Sequence, residues 1–146
     1  MTSATVHDEA KARLAHMGQS YTANRRMIVD ALIDAGPLTL PELLDRRSEL
    51  AQSSAYRSLA LLTEAGVVRR IVHDSDHARF ELAEELTGHH HHHLVCNGCG
   101  AVVDVELPNE LEELLDQSLS AVALRAGFVL GHHDLDVHGI CGNCQA

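Results

Sequence analysis

With 146 residues, the chain has room for one or two small domains but not for three. Its content of 45% hydrophobic and 22% charged residues is typical of a globular protein. The chain has no apolar run long enough to cross a bilayer, and its polar first residues do not form a signal peptide. We therefore expect a cytoplasmic protein without a membrane partner. The net charge of −10 argues against nucleic acid as a partner, unless that charge is unevenly distributed.

The charge is indeed uneven along the chain. Residues 1–82 contain ten Lys or Arg and eleven Asp or Glu, a net charge of −1. Residues 83–146 contain one basic residue, Arg125, against ten acidic ones, a net charge of −9, together with eight of the twelve His. This asymmetry predicts two modules with different partners, which we place at residues 1–83 and 84–146.

The first module begins with two predicted helices. Residues 22–35 carry apolar side chains at helical spacing, and Gly36-Pro37 ends this helix. The segment Thr39-Leu-Pro-Glu42 is a capping box with Pro in the first turn, so a second helix extends to about Arg47.

A third helix follows, and it is the candidate DNA-reading helix. Ser53 or Ser54 can cap it, and Gly66 ends it at a position that favours a left-handed residue. A recognition helix enters the major groove with its N-terminus first, so polar side chains of its first turns reach the bases. Arg57 can bind guanine there, while Tyr56 and the two serines suit phosphate or base contacts.

A β-hairpin completes the first module. Residues 67–72 alternate with a period of two, Asp74-Ser75-Asp76 makes the turn, and residues 78–82 return. Arg69 and Arg70 begin this wing, where they could meet the phosphate backbone. Three helices followed by a hairpin predict a winged helix-turn-helix, with a protein-binding winged helix as the alternative.

The second module contains two Cys-x-x-Cys pairs, Cys96 with Cys99 and Cys141 with Cys144, separated by 41 residues. Because cytosolic thiols stay reduced, this pattern favours a metal site over redox disulfides. Four thiolates at about 2.3 Å complete the tetrahedral shell of a structural Zn²⁺ ion.

Five consecutive histidines, residues 89–93, precede the first Cys pair. If they are extended, the odd-numbered side chains share one face while His90 and His92 share the other. Same-face neighbours lie about 6.6 Å apart at the backbone, close enough for two imidazoles to share an ion. One strand could therefore serve two separate metal ions; a purification tag or a solvated polar tract is the alternative.

The remaining elements predict a small β-β-α-β domain, and hence an α+β protein overall. A strand at residues 102–105 contains Asp104, Pro108 opens a helix that Gly127 ends, and a last strand runs from Phe128 to His138. We expect one face of the helix to be buried, namely Leu111, Leu114, Leu115, Leu119, Val122 and Ala126. The small sheet would leave an exposed edge, which commonly pairs between subunits.

These motifs, in this order, resemble the ferric uptake regulator family over roughly residues 15–144. The resemblance is carried by Ser54-Ala55-Tyr56-Arg57-Ser58-Leu59, Phe80-Glu81-Leu82, the histidine run, Leu94-Val95-Cys96 with Cys99-Gly100, and His138-Gly139-Ile140-Cys141 with Cys144. It implies a homodimeric repressor rather than an enzyme. In that family a bound metal sets the angle between the domains and permits binding to double-stranded operator DNA.

The resemblance also implies which residues bind metal or DNA. The residues that match the structural zinc site are Cys96, Cys99, Cys141 and Cys144. Those that match the regulatory site between the domains are Glu81, His91 and His93, with Asp104 at an acidic position that ligates metal in some members. Those that match a second site are His90, His92 and His133, with Glu112 as the acidic ligand and Glu110 as its rival. Tyr56 and Arg57 match operator-contacting positions.

Two departures from the family pattern affect these expectations. Many members have a regulatory histidine where this chain has Pro37, so another ligand must replace it; the candidates are His73, His77, His89 and Asp104. A basic residue ahead of the second helix is replaced by Ser20, which removes one minor-groove contact.

The resemblance does not choose one sensed metal. The run from Gly127 to Cys141 is similar to zinc uptake regulators, and a histidine-rich tract favours tetrahedral nitrogen ligation, so we expect regulatory Zn²⁺. Phe80-Glu81-Leu82 is typical of the iron-type branch, which leaves an Fe²⁺-responsive repressor or an iron-loaded peroxide sensor as alternatives. A metal buffer without a DNA response is a further alternative. A zinc hydrolase or deaminase is disfavoured because its His-Glu motifs are missing.

Overall fold

The computed structural model describes residues 2–72, 78–88 and 90–146. The chain divides into two compact units, Met1–His89 and His90–Ala146. This boundary lies a few residues beyond the predicted one, because the short helix that follows residue 83 packs with the first unit. No helix in the described part of the chain has the length and apolar character needed to cross a membrane.

The first unit has five helices and a three-stranded sheet among its described residues. The helices are α1 Ser3–His16, α2 Ala23–Ala35, α3 Leu40–Arg46, α4 Gln52–Glu64 and α5 Glu84–Thr87. The strands are β1 Leu38–Thr39, β2 Val68–Ile71 and β3 Arg79–Leu82, which form an antiparallel sheet in the order β1-β3-β2. The order α2, α3, α4 and hairpin confirms the predicted winged helix-turn-helix, while the turn predicted at Asp74-Ser75-Asp76 lies outside the described residues.

Local sequence signals set the ends of the helices. The Thr22 hydroxyl accepts a hydrogen bond from the Arg25 N–H at the start of α2. At α3 the capping box is present in both directions, since Thr39 and Glu42 each accept from the other's backbone N–H at 3.3 Å. Gly66 follows α4 with a φ of 75°, as a left-handed terminator does.

The predicted serine cap of α4 is wrong. The helix begins at Gln52 with Ala51 in the capping position, and no side chain caps it. Ser53 and Ser54 therefore lie inside the first turn of the helix, where Ser53 is exposed and Ser54 is half-buried. The predicted cap thus lies two or three residues inside the helix, close to the usual uncertainty of helix ends.

Helix α1 was not anticipated from the sequence. Its buried residues Val6, Ala10 and Leu14 are spaced by four and join the core of the first unit. Polar groups hold it as well, because the His7 ring bonds the Tyr21 hydroxyl through Nδ1 at 2.5 Å and Asp30 through Nε2 at 2.6 Å. Burial raises the pKa of the Tyr21 phenol, so this hydroxyl stays protonated at physiological pH.

The second unit is a three-stranded sheet with one long helix. Its elements are β4 His92–Cys96, β5 Val102–Val105, α6 Asn109–Arg125, β6 Asp136–Gly139 and a single 3-10 turn at Gly142–Cys144. In the order β5-β4-β6, β4 pairs antiparallel with β5 and parallel with β6. This confirms the predicted β-β-α-β order, although the last strand is much shorter than residues 128–138.

The predicted buried face of α6 is not buried within the chain. No residue of α6 is buried, and Leu114, Val122 and Leu124 are mostly exposed, with Leu124 at 75%. The strands of this unit are only four or five residues long, too short to cover a helix of 17 residues. Phe128 and Val129, just beyond the helix, are exposed too. Large apolar side chains exposed together in one segment indicate a protein interaction site.

The placement of α5 with the first unit can be tested by substitution. Leu86 is fully buried and α5 packs against α1, so we expect Leu86→Ala to lower the free energy of unfolding by about 2–5 kcal/mol. Urea unfolding monitored by circular dichroism measures the change. In the same helix, Glu85→Ala should stay within about 0.5 kcal/mol of the parent because Glu85 is exposed. Equal effects of the two variants would contradict this packing.

Candidate metal centres

Four cysteines meet at one end of the second sheet. Cys96 ends β4, Cys99 closes the turn that follows, and the other pair flanks the 3-10 turn after β6. All four Sγ atoms lie within 4.8 Å of one another, and Cys99 and Cys141 are 3.8 Å apart. At a zinc–sulfur distance of about 2.3 Å, two sulfurs of a tetrahedron are about 3.8 Å apart. The spacing fits one zinc ion and is far too long for a disulfide bond of about 2.05 Å.

Backbone geometry prepares this cluster for a cation. The Cys141 N–H donates to Cys96 Sγ at 3.3 Å, and this bond, together with the N–H groups of Cys99 and Gly98, lowers the pKa of the Cys96 thiol to about 6. Hydrogen bonds from the Cys144 thiol to Cys141 and the other sulfurs raise its pKa to about 12. Zinc binding would therefore release thiol protons mainly from the less acidic members. A Cβ on Gly98 would lie 3.1 Å from the Cys144 Cβ and Sγ, so a larger residue here would press on the cluster.

The histidine run alternates between two sides of β4, as its spacing predicts. On one side, His91 and His93 approach Asp104 of the neighbouring strand; we call these three residues the first histidine set. On the other side lies the second histidine set, whose members are His90, His92, Glu112 and His133. His89, which the spacing places on the side of His91, lies outside the described residues.

The two histidines of the first histidine set are buried, and the set has distances suited to an ion. The Nε2 atoms of His91 and His93 are 3.7 and 3.5 Å from the two Asp104 oxygens. The two rings are nearly perpendicular, at 84°, with centroids 5.6 Å apart. Nitrogen and oxygen ligands of tetrahedral zinc lie about 3.3–3.4 Å apart, so a small adjustment would bring these three donors to one ion. Three protein donors leave at least one coordination position to another group.

Glu81 lies at the end of β3 in the first unit. Its carboxylate is 3% exposed, and Arg69 of the paired strand places its Nε 3.8 Å away. The same Arg69 guanidinium also lies 3.6 Å from Glu84. A buried carboxylate needs compensating charge or hydrogen bonds, and in this unit Arg69 supplies part of it. The side chain of Arg69, expected to face DNA, is thus engaged with acidic groups, whereas Arg70 is exposed.

The second histidine set contains three groups at ligand spacing. Distances between the His90 and His133 Nε2 atoms and Glu112 Oε2 are 3.2–3.4 Å, close to the edge of a tetrahedron around zinc. Residues 110 and 112 point about 200° apart on an α-helix, so only one of them can face this set, and it is Glu112. Burial alone would raise the Glu112 pKa, but its hydrogen bond to His92 and the nearby imidazoles outweigh burial and lower it.

His92 differs from the other members of its set. The Leu135 N–H donates to its Nδ1 at 3.2 Å, so the proton of the neutral ring belongs on Nε2. That proton is donated to Glu112 Oε1 at 2.5 Å. Metal binding through the Nε2 of His92 would have to displace this proton or turn the ring.

The predicted DNA-reading residues lie on one exposed face of α4. Tyr56 is 66% exposed, Ser53 and Arg57 are exposed, and Ser54 is half-buried. Ser53, Tyr56 and Arg57 line an open groove with Leu40 of α3. This arrangement presents hydroxyl and guanidinium donors from adjacent turns of one helix, as groove recognition requires.

Two carboxylates near the histidine sets were missed in the sequence. Asp116 bonds the Nδ1 of His133 at 3.1 Å, and Asp136 bonds the Nδ1 of His93 at 3.0 Å. Asp116 follows Glu112 by four residues and so shares its helix face, a signal that the sequence does contain. Asp136 has no such signal, because only the parallel pairing of β6 with β4 places it beside His93.

Comparisons with known proteins agree on one family. The ferric uptake regulator family matches residues 16–138. The ferric uptake regulation protein of Bordetella parapertussis is 33% identical to this chain over 141 residues. The match covers 92% of this chain and 96% of the Bordetella protein. The solved structure of the ferric uptake regulator of Vibrio cholerae is 26% identical to this chain in sequence and has a TM-score of 0.71. The match covers 90% of this chain and 98% of the Vibrio chain. The structure of holo XcZur is 27% identical with a TM-score of 0.55, covering 99% of each chain.

The cysteine cluster can be tested by metal analysis. We expect the purified protein to keep about one zinc ion per chain after dialysis against EDTA, since four thiolates close the shell. Cys99→Ser should lose that zinc and lower the thermal stability of the second unit. Asn97→Ser, in the same turn but outside the cluster, should keep it. Retention of EDTA-resistant zinc by Cys99→Ser would contradict this assignment.

Proposed function

The chain belongs to the ferric uptake regulator family, and on that premise we propose that it is a zinc-responsive repressor that binds operator DNA as a homodimer in the cytoplasm. As a member of the family it is a metal-dependent transcriptional regulator and not an enzyme. The observation that carries the zinc-responsive proposal is the first histidine set. Two buried imidazoles and a carboxylate converge there with room for a further ligand.

Glu81 is proposed as that further ligand, contributed by the DNA-binding unit. A zinc ion held by Glu81 and by the first histidine set would bind tightly only when the two units adopt one arrangement. The ion would then favour that arrangement over the others that the chain samples, which is a population shift by differential affinity. In a two-fold dimer with this arrangement, the two α4 helices would meet successive major grooves about 34 Å apart.

Asp104 is proposed as the replacement for the histidine that Pro37 displaces. It is paired with His93 in the strand register and lies at ligand distance from both imidazoles of the set. The other candidates, His73, His77 and His89, lie outside the described residues. With Glu81, the regulatory site would then have two nitrogen and two oxygen donors, a number that suits tetrahedral zinc.

An iron-responsive repressor or an iron-loaded peroxide sensor is the second candidate. Two histidines and one carboxylate also form the facial triad of non-haem Fe²⁺ sites, and His91, His93 and Asp104 have that composition. Of the relatives, the Bordetella protein is named for iron and holo XcZur for zinc. A gain of 16 Da on His91 or His93 after peroxide treatment of the iron-loaded protein would favour the peroxide sensor.

The homodimer is supported by the exposed apolar surface of the second unit. Leu124, Phe128 and Val129 are exposed around the end of α6, and a single chain leaves this surface facing water. The same surface of a second chain would pack against it, as in two-fold dimers, where both subunits contribute the same patch to the interface. The basic residues lie almost entirely in the first unit, so the acidic second unit would face away from DNA.

The metal response is tested by measuring DNA affinity with and without zinc. Duplexes selected from a random pool by the zinc-loaded protein serve as probes in fluorescence anisotropy. Zinc should raise the affinity of the parent about 5–150-fold, the usual range of allosteric coupling. His91→Ala should lose this response and keep the EDTA-resistant zinc, whereas His132→Ala should behave as the parent because that ring is 70% exposed and outside both sets. Equal DNA binding by chelated and loaded parent protein would refute the proposal.

The DNA-reading face is tested by Arg57→Ala. Losing a guanidinium that contacts a base edge should weaken binding of the loaded protein by about 1–3 kcal/mol and relax specificity at one position. Metal affinity should not change, since α4 carries no residue of either histidine set. Arg125→Ala, an equal change of charge at the end of α6, should leave DNA affinity within twofold. A similar loss for the two variants would point to general charge rather than recognition by α4.

A further inference from the structure

His93 lies between two carboxylate residues in the second sheet. The antiparallel register pairs it with Asp104 on β5, and the parallel register pairs it with Asp136 on β6. Its two ring nitrogens face different partners, because Nδ1 lies 3.0 Å from an Asp136 oxygen and Nε2 lies 3.5 Å from an Asp104 oxygen. The side chain is 1% exposed, so the surrounding protein holds the ring in this orientation.

The two nitrogens of a neutral imidazole cannot both carry a proton. An ionised carboxylate only accepts hydrogen bonds, and Asp136 lies closer to Nδ1 (3.0 Å) than Asp104 lies to Nε2 (3.5 Å), so the proton belongs on Nδ1. This leaves the lone pair of His93 on Nε2, which faces His91 and Asp104. A metal ligand must offer a lone pair, so the ring is set to bind before any ion arrives.

We propose that Asp136 is a positioning residue of the regulatory metal site, acting through the tautomer and orientation of His93. The inference rests on the proposed function of the first histidine set. A carboxylate behind a ligating histidine fixes its tautomer and increases its basicity, and removal of such a partner typically costs 10–100-fold in metal affinity. Asp136 itself is turned toward Nδ1, on the side of the ring away from the donors that would share the ion.

This support is selective within the histidine run. His92, the preceding residue, receives a backbone N–H on Nδ1 and therefore has the opposite tautomer. Asp134, two residues before Asp136, pairs with His132, which is 70% exposed and belongs to neither histidine set. The contact between Asp136 and His93 therefore differs from these two, because it joins a carboxylate to the Nδ1 of a buried histidine of the first set.

The position of Asp136 also depends on the cysteine cluster. At the far end of β6, the Asn97 N–H donates to the Gly139 carbonyl at 2.8 Å, and the Cys141 N–H donates to Cys96 Sγ. These bonds hold β6 in register with β4, and that register places Asp136 beside His93. The cysteine cluster and the pair of His93 with Asp136 thus depend on the same two strands, β4 and β6, so order in the cysteine cluster supports the orientation of His93.

The first experiment measures zinc affinity at the first histidine set. The full-length protein keeps its EDTA-resistant zinc and carries Glu112→Gln in every sample to weaken the second histidine set. Competition with a chromophoric chelator then reports the remaining site. Asp136→Asn should weaken zinc binding 10–100-fold, and Asp136→Glu should recover at least part of the loss. Asp134→Asn, with the same change of charge, is the matched control and should stay within twofold of the parent.

The second experiment observes the tautomer without added metal. Long-range proton–nitrogen spectra of the folded protein, recorded where the rings are neutral, distinguish Nδ1–H from Nε2–H histidines. His93 should be Nδ1–H in the parent and in Asp134→Asn, and a mixture of both forms in Asp136→Asn. An Nε2–H ring at His93 in the parent, or zinc affinity of Asp136→Asn within twofold of the parent, would overturn the inference. Failure of the parent to bind zinc through His91 and His93 would instead overturn the proposed function.

Discussion

Successive side chains of a β-strand point to opposite faces of the sheet, and the metal chemistry of this protein depends on that alternation in β4. Because the histidines are consecutive, the pleat sends His91 and His93 to one side and His90 and His92 to the other. Each side then meets carboxylates from different elements, β5 and β6 on one and α6 on the other. A slip of one residue in register would exchange the two sides and dismantle both histidine sets.

The cysteine cluster and the sheet support one another. β4 ends in Cys96 and β6 leads into Cys141, so the central strand and one edge strand enter the same cluster. In this unit of 57 residues, which has few buried apolar side chains, a zinc ion bound by the four cysteines would supply order that a hydrophobic core otherwise provides. The first unit has the opposite character, with a continuous core from α1 to α5 and almost all the basic residues of the chain.

Much of this architecture could be predicted from local patterns. The ends of α2 and α3, the order of the second unit and the grouping of the four cysteines depend on interactions between residues close in the chain or on spacing alone. Apart from the serine cap of α4, the incorrect predictions concern contacts with distant residues. The apolar side of α6 has the spacing of a buried helix, yet nothing in one chain covers it. A periodic pattern of apolar residues indicates that one face of a helix will be covered. It does not say whether the covering surface belongs to the same chain or to another.

The sequence by itself determined which residues could ligate metal, where α2 and α3 begin and end, and that adjacent histidines serve different sides of a strand, because each follows from covalent geometry and short-range bonding. Only the tertiary structure decided which carboxylates lie beside those histidines. They are Glu112 rather than Glu110, Asp104 beside the Nε2 of His93, and Asp136 beside the Nδ1 of the same ring. The choice depends on strand register and on the face that a helix turns toward the sheet. Those features arise when distant segments pack, and no local pattern encodes them.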